Sequence, residues 1–147
     1  LQAGEHRRLP RYATAPLTRS RDPAVLSGLE MVIDVGGSYD AAALRFDHHQ
    51  RGFFETFDGA AGSASGPEGA TGAYKTKLSA AGLVYKHYGR EILRRLYPAE
   101  LAADAALEWA YGRMYATFME GIDAIDNGVE QTRVLIMVCM HVHELLY

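Results

Sequence analysis

Met31-Val32-Ile33-Asp34-Val35-Gly36-Gly37, followed shortly by Leu44-Arg45-Phe46-Asp47-His48-His49, decides the expected fold. The first run is apolar and β-branched and is halted by two glycines, the pattern of a strand buried on both faces of a parallel sheet. Asp34 interrupts it, and a lone carboxylate in a buried strand is costly unless it is paired or bound to a metal. Leu44–Asp47 reads as a second short strand that delivers Asp47, His48 and His49 at its C-terminal end, where ligands gather in open α/β sheets.

Upstream, Pro10 and Pro16 make Leu9–Thr18 an extended segment or short edge strand. Arg21-Asp22-Pro23 sets an N-cap before a proline at the first helical position, predicting a short helix over Pro23–Ser27 that Gly28 ends. Downstream, Gly59–Gly72 is rich in Gly, Ala and Ser and reads as a surface loop. Leu78, Ala81, Val84, Tyr85, Tyr88, Ile92 and Leu96 recur at helical steps, so a helix runs to about Tyr97 and stops at Pro98. A second helix over Leu101–Ile125 carries Leu107, Tyr111, Met114, Tyr115, Phe118 and Ile122 and closes at Asp126-Asn127-Gly128, with Gly128 as a left-handed cap. Val134–Leu146 fits a helix or a strand equally well. Strand signals alternating with helices predict an α/β fold, a parallel β-sheet flanked by helices.

At 147 residues and 48% hydrophobic composition the chain suits one domain or part of one. A net charge of -3 gives no general positive field, so a nucleic acid would have to be held by local basic residues and metal ions. The single cysteine, Cys139, excludes an internal disulfide and suits a reducing, intracellular compartment. The apolar runs Ala80–Tyr85 and Val134–Met140 are too short to span a bilayer, so no membrane partner is expected. The start at Leu1 reads as the product of truncation or processing.

Asp34, Asp47, His48, His49, Asp123 and Asp126 are the candidate site residues. Carboxylates with imidazoles suit Mn²⁺, Zn²⁺ or Fe²⁺ better than Ca²⁺, and one cysteine cannot build a thiolate zinc site. Asp34 is placed to bridge two ions, and a two-metal centre can activate a water for in-line displacement at phosphorus. On an extended segment His48 and His49 would point to opposite sides and divide the labour, one on a metal and the other on a phosphate, with Asp47 fixing an imidazole tautomer. Blander readings stand beside these: an Asp-His-His triplet is more often a solvated turn, and Asp34 before Gly-Gly could accept backbone hydrogen bonds. Asp123 and Asp126 could be the polar edge of a helix, with Asp126-Asn127-Gly128 ordinary turn chemistry. Arg45, Arg51, Lys75 and Lys77 flank the candidate site on both sides. By default they are a solvated surface, and Arg51, Lys75 and Lys77 are the cations expected to hold a phosphodiester substrate. His6, His87, His141 and His143 are given no role.

Four ordered blocks, Val32–Asp40, Arg45–Phe57, Lys75–Tyr85 and Met114–Gly128, closely resemble the Myg-type branch of the DHH phosphoesterase superfamily. Members are metal-dependent hydrolases described as 3′-to-5′ RNA exonucleases of mitochondria and nucleus. The resemblance implies that Asp34 bridges metals, that His48 ligates metal while His49 faces the scissile phosphate, and that Asp126 is a further ligand, with Asp123 the weaker claimant. It implies Mn²⁺ or another divalent cation such as Mg²⁺, RNA or another phosphodiester as partner, and a mitochondrial or nuclear location. A homo-oligomer is compatible with it. The superfamily's first motif, bearing His and Asp, has no counterpart here, since no aspartate precedes Asp22. Relatives also continue into a substrate-binding domain, so residues 1–130 are expected to be a partial DHH-type catalytic domain and 131–147 an unassigned tail. The expected function is a phosphodiester hydrolase. The alternatives are a degenerate module that binds nucleic acid or protein without cutting, and a small-molecule phosphatase or pyrophosphatase.

Overall fold

The computed structural model describes residues 15–60 and 74–129. The expectations for residues 9–14, for most of the Gly59–Gly72 loop, for Val134–Leu146, and for His6, Cys139, His141 and His143 lie outside the described residues.

Helix α1, Pro23–Ser27, forms as its sequence dictates: the Asp22 carboxylate accepts from the Ala24 N–H and Pro23 opens the helix. Three two-residue strands follow, β1 (Val32–Ile33), β2 (Tyr39–Asp40) and β3 (Arg45–Phe46), in the sheet order β1-β3-β2. Strand β1 runs parallel to β3 with Val32 opposite Arg45, as expected, but β2 is antiparallel to β3, so the sheet is mixed rather than wholly parallel. Nor is β1 buried on both faces, because Val32 is 3% exposed and Ile33 44%. The strand ends at Asp34, whose φ of 66° is left-handed, before the two glycines are reached. A hairpin, β4 (Glu55–Thr56) with β5 (Gly59–Ala60), was not foreseen. Two-residue strands are too short to show alternation, so periodicity could not find them.

Helix α2, Ala80–Leu96, is capped by Ser79, whose hydroxyl accepts from the Gly82 N–H. The expected Leu78, Tyr85 and Tyr88 are buried and Val84 and Ile92 pack against the core, but Leu83 and Leu93 join the buried face while Ala81 and Leu96 are exposed. The second long helix is divided into α3 (Asp104–Met114), a π-helical turn (Tyr115–Met119) and α4 (Glu120–Asp126). The wider turn shifts the helical phase, so Tyr111, Tyr115 and Met119 face the core whereas Met114 and Phe118 are exposed. Gly128 takes φ 73° and closes α4 as its sequence suggests. The helices and the β4–β5 hairpin meet across an aromatic core: Phe57 stacks on Tyr115 at 3.7 Å between ring centres, and Tyr85 on Tyr111 at 5.1 Å. Among the described residues no helix is long and apolar enough to cross a membrane.

Candidate metal centre

The parallel pairing of β1 with β3 is what gathers the site. With Ile33 opposite Phe46, the residues that follow each strand leave the sheet at the same edge, and the Asp34 N–H donates to the Phe46 carbonyl at 3.0 Å. Asp34 therefore emerges beside Asp47, His48 and His49. Its left-handed backbone costs a non-glycine residue about 1–2 kcal/mol, a kind of strain that concentrates at ligand-binding positions.

Asp47 is almost fully buried and ties the two post-strand loops together. One carboxylate oxygen accepts from the Gly37 N–H at 2.6 Å, and the other from the His49 N–H at 3.1 Å, while lying 2.6 Å from His49 Nδ1. Burial pushes the Asp47 carboxyl upward, but the hydrogen bonds from the His49 ring and from the Gly37 and His49 N–H groups outweigh it and hold the group below the usual carboxylate range. The carboxylate-to-backbone bond two residues on also turns the chain. As a result His48 and His49 do not point to opposite sides, as an extended segment would require: their ring centres lie 4.3 Å apart. Strand β3 has ended at Phe46, so the alternation rule no longer governs them.

Asp34, His48 and His49 can each present one ligand atom such that all lie within 4.8 Å of one another. His48 Nε2 lies 3.5 Å from Asp34 Oδ1 and 3.1 Å from Asp126 Oδ2. Asp126, at the end of α4, thus reaches the cluster through His48. Although the Asp126 contact is close, its alignment makes no hydrogen bond, and both ring nitrogens of buried His48 are without a hydrogen-bond partner among the described residues. A buried imidazole with two unpaired nitrogens costs a few kcal/mol unless something occupies the space it faces. Nitrogen and carboxylate donors converging on that space suit a divalent transition-series cation. The residues present therefore fit a metal.

Asp123 takes no part in this cluster. It is fully buried and accepts from the Ser79 N–H at 2.9 Å, the Ser79 hydroxyl at 2.7 Å and the Tyr115 hydroxyl at 2.9 Å. Of the expected substrate cations, Lys77 is half-buried with Nζ 5.6 Å from the centre of the Phe53 ring, which meets the His48 ring edge-on at 6.5 Å. Arg51, in the turn after the histidines, and Lys75 are exposed. Arg45 is occupied, its guanidinium donating to the carbonyls of Leu29 and Glu30. Sequence reasoning missed Phe53, which walls His48, and Asn127, whose amide bonds the carbonyls of Lys77 and Asp123. The only signal for Asn127 was its place beside Asp126.

The family model of the MYG1_exonuc group, described as an uncharacterised protein family (UPF0160), matches residues 6–143. A MYG1 protein of Schizosaccharomyces pombe is 44% identical over 123 residues, which cover 84% of this chain and 34% of that protein. The MYG1 exonucleases of Mus musculus and Homo sapiens are each 42% identical over 125 residues, 85% of this chain and 30% and 31% of theirs. The chain thus spans about a third of the length of the curated relatives it matches. No solved structure matches it. On the extent of the model match and the identity with these relatives, the chain belongs to the MYG1_exonuc family.

Proposed function

We propose that this chain forms part of a metal-dependent phosphodiester hydrolase of DHH type that shortens RNA from its 3′ end. The observation that carries the metal reading is buried His48, whose Nε2 makes no hydrogen bond yet faces the carboxylates of Asp34 and Asp126. The relatives named exonucleases support the reaction class. Asp34, His48 and Asp126 would hold the cation, with His49 within reach of it. Mn²⁺ or Mg²⁺ bound there would supply Lewis acidity and a more acidic water. His49 is oriented by Asp47 through Nδ1, which leaves its Nε2 available for a phosphate oxygen. The Lys77 ammonium, held over Phe53 beside His48, supplies a positive charge for the same phosphate. Arg51 and Lys75 extend that charge along the substrate.

The test is a 5′-labelled single-stranded oligoribonucleotide incubated with the protein and Mn²⁺. Shortening from the 3′ end that requires Mn²⁺ and falls at least a hundredfold in Asp34→Asn is the expected result, since Asp34 would supply an anionic ligand that asparagine cannot. Turnover retained near the wild-type level in Asp34→Asn removes the hydrolase reading. Binding of the RNA without shortening assigns the non-cutting binding module instead.

A further inference from the structure

Helix α4 presents a polar face of three residues, Glu120, Asp123 and Asn127, to the segment 76–79 that leads into α2. The Thr76 hydroxyl donates to Glu120 Oε1 at 3.0 Å. One turn on, the Ser79 N–H and hydroxyl donate to Asp123. At the end of the helix, Asn127 Nδ2 donates to the Lys77 carbonyl at 2.8 Å and to the Asp123 carbonyl at 2.8 Å. The spacing places all three on one helical face. Gly82 completes the fit, because a Cβ there would overlap the Asp123 carboxylate.

Asp126 sits in the last turn of α4, where helices fray most readily. Local bonds close that turn: the Asn127 N–H donates to the Asp123 carbonyl and the Val129 N–H to the Ala124 carbonyl. They do not fix the helix end against any element outside α4. The Asn127 amide bond to Lys77 reaches across 50 residues of sequence and ties the helix end to the segment leading into α2. It joins the backbone of Lys77, whose ammonium lies over Phe53, to the residue that follows Asp126.

We infer that Asn127 is a positioning residue, whose side-chain amide holds the Asp126 carboxylate against His48 and keeps the Lys77 segment in register with it. The inference rests on the metal reading above. Its test compares Asn127→Ala with Thr76→Val, each of which removes a tie from the same polar face, at opposite ends of α4. In the 147-residue chain, free Mn²⁺ is titrated by electron paramagnetic resonance, and thermal unfolding is followed separately in chelator. Both variants are expected to lose similar thermal stability. Asn127→Ala should weaken Mn²⁺ affinity about tenfold, the usual effect of losing a residue that orients a ligand, whereas Thr76→Val stays within twofold of wild type. If Asn127→Ala does not fold, Asn127→Gln, which keeps the amide but displaces it by one methylene, is expected to show the same loss. An affinity unchanged in the folded Asn127 variant, or weakened equally in Thr76→Val, overturns the positioning role. Absence of Mn²⁺ affinity in the wild-type chain overturns the metal reading and this inference with it.

Discussion

Asp123 and Asp126 lie one turn apart on α4 and face opposite circumstances. Asp123 is sealed in the core with the Ser79 N–H, the Ser79 hydroxyl and the Tyr115 hydroxyl all donating to it. Asp126 is half exposed and meets His48, whose two ring nitrogens make no hydrogen bond among the described residues. In the first region the protein satisfies its own polar groups, so the carboxylate joins the π-helical turn and α4 to the cap of α2. In the second it leaves donors converging without partners, which is the condition for holding a ligand. Type of residue does not distinguish the two aspartates, but the inventory of their partners does.

The largest expected effect tests the first region. Asp123→Ala strands two buried groups of Ser79 and the Tyr115 hydroxyl, and should lower unfolding free energy by about 3–5 kcal/mol. Urea denaturation measures it, and a loss below about 1 kcal/mol would mean that the network is dispensable.

A contrasting outcome is expected at His48. Replacing it by leucine, which keeps much of the volume and removes nitrogens that lack hydrogen bonds, should raise stability in chelator by about 1–3 kcal/mol. The same His48→Leu substitution should abolish stabilisation by Mn²⁺, which for wild type reaches about 2.7 kcal/mol when free cation stands at a hundred times the dissociation constant. A variant that keeps this gain in thermal unfolding would exclude His48 as a ligand.

How much of this was legible beforehand follows from what each feature depends on. Helix α1 and its boundaries could be read because Asp22, Pro23 and Gly28 act locally. The end of α4 was equally plain at Gly128. The candidate cluster was legible as a set of residue types, and Asp34, His48 and Asp126 do come together. Its geometry was not, since the shared orientation of the two histidines comes from the Asp47 carboxylate bonding the His49 N–H after the strand has ended. The π-helical turn was hidden because one widened turn changes which of Met114, Tyr115 and Phe118 faces inward without altering their spacing in sequence. The antiparallel β2 and the β4–β5 hairpin depend on pairing partners rather than on composition.

The smallest effect concerns pH and separates the buried carboxylate from the rest. Burial pushes the Asp123 carboxyl upward against the pull of its Ser79 and Tyr115 hydrogen bonds. The folded chain therefore holds this proton more tightly than the unfolded chain does. Its contribution to stability is full below the ordinary aspartate value of about 3.9 and is lost as pH rises from there through the raised folded value. Asp47 works in the opposite sense: held below the usual range, it contributes stability above the ordinary value that is lost as pH falls. The overall profile mixes the two, so the informative quantity is the stability of wild type minus that of Asp123→Asn, in which Asp47 cancels. Asparagine retains an oxygen for the Ser79 donors and carries no titrating proton. The difference should move against wild type as pH rises from 3 towards neutrality, with a slope no steeper than about 1.4 kcal/mol per pH unit for one proton. A difference that is flat, or that moves in favour of wild type, would show that the donors around Asp123 outweigh its burial and keep the carboxylate ionised in the core.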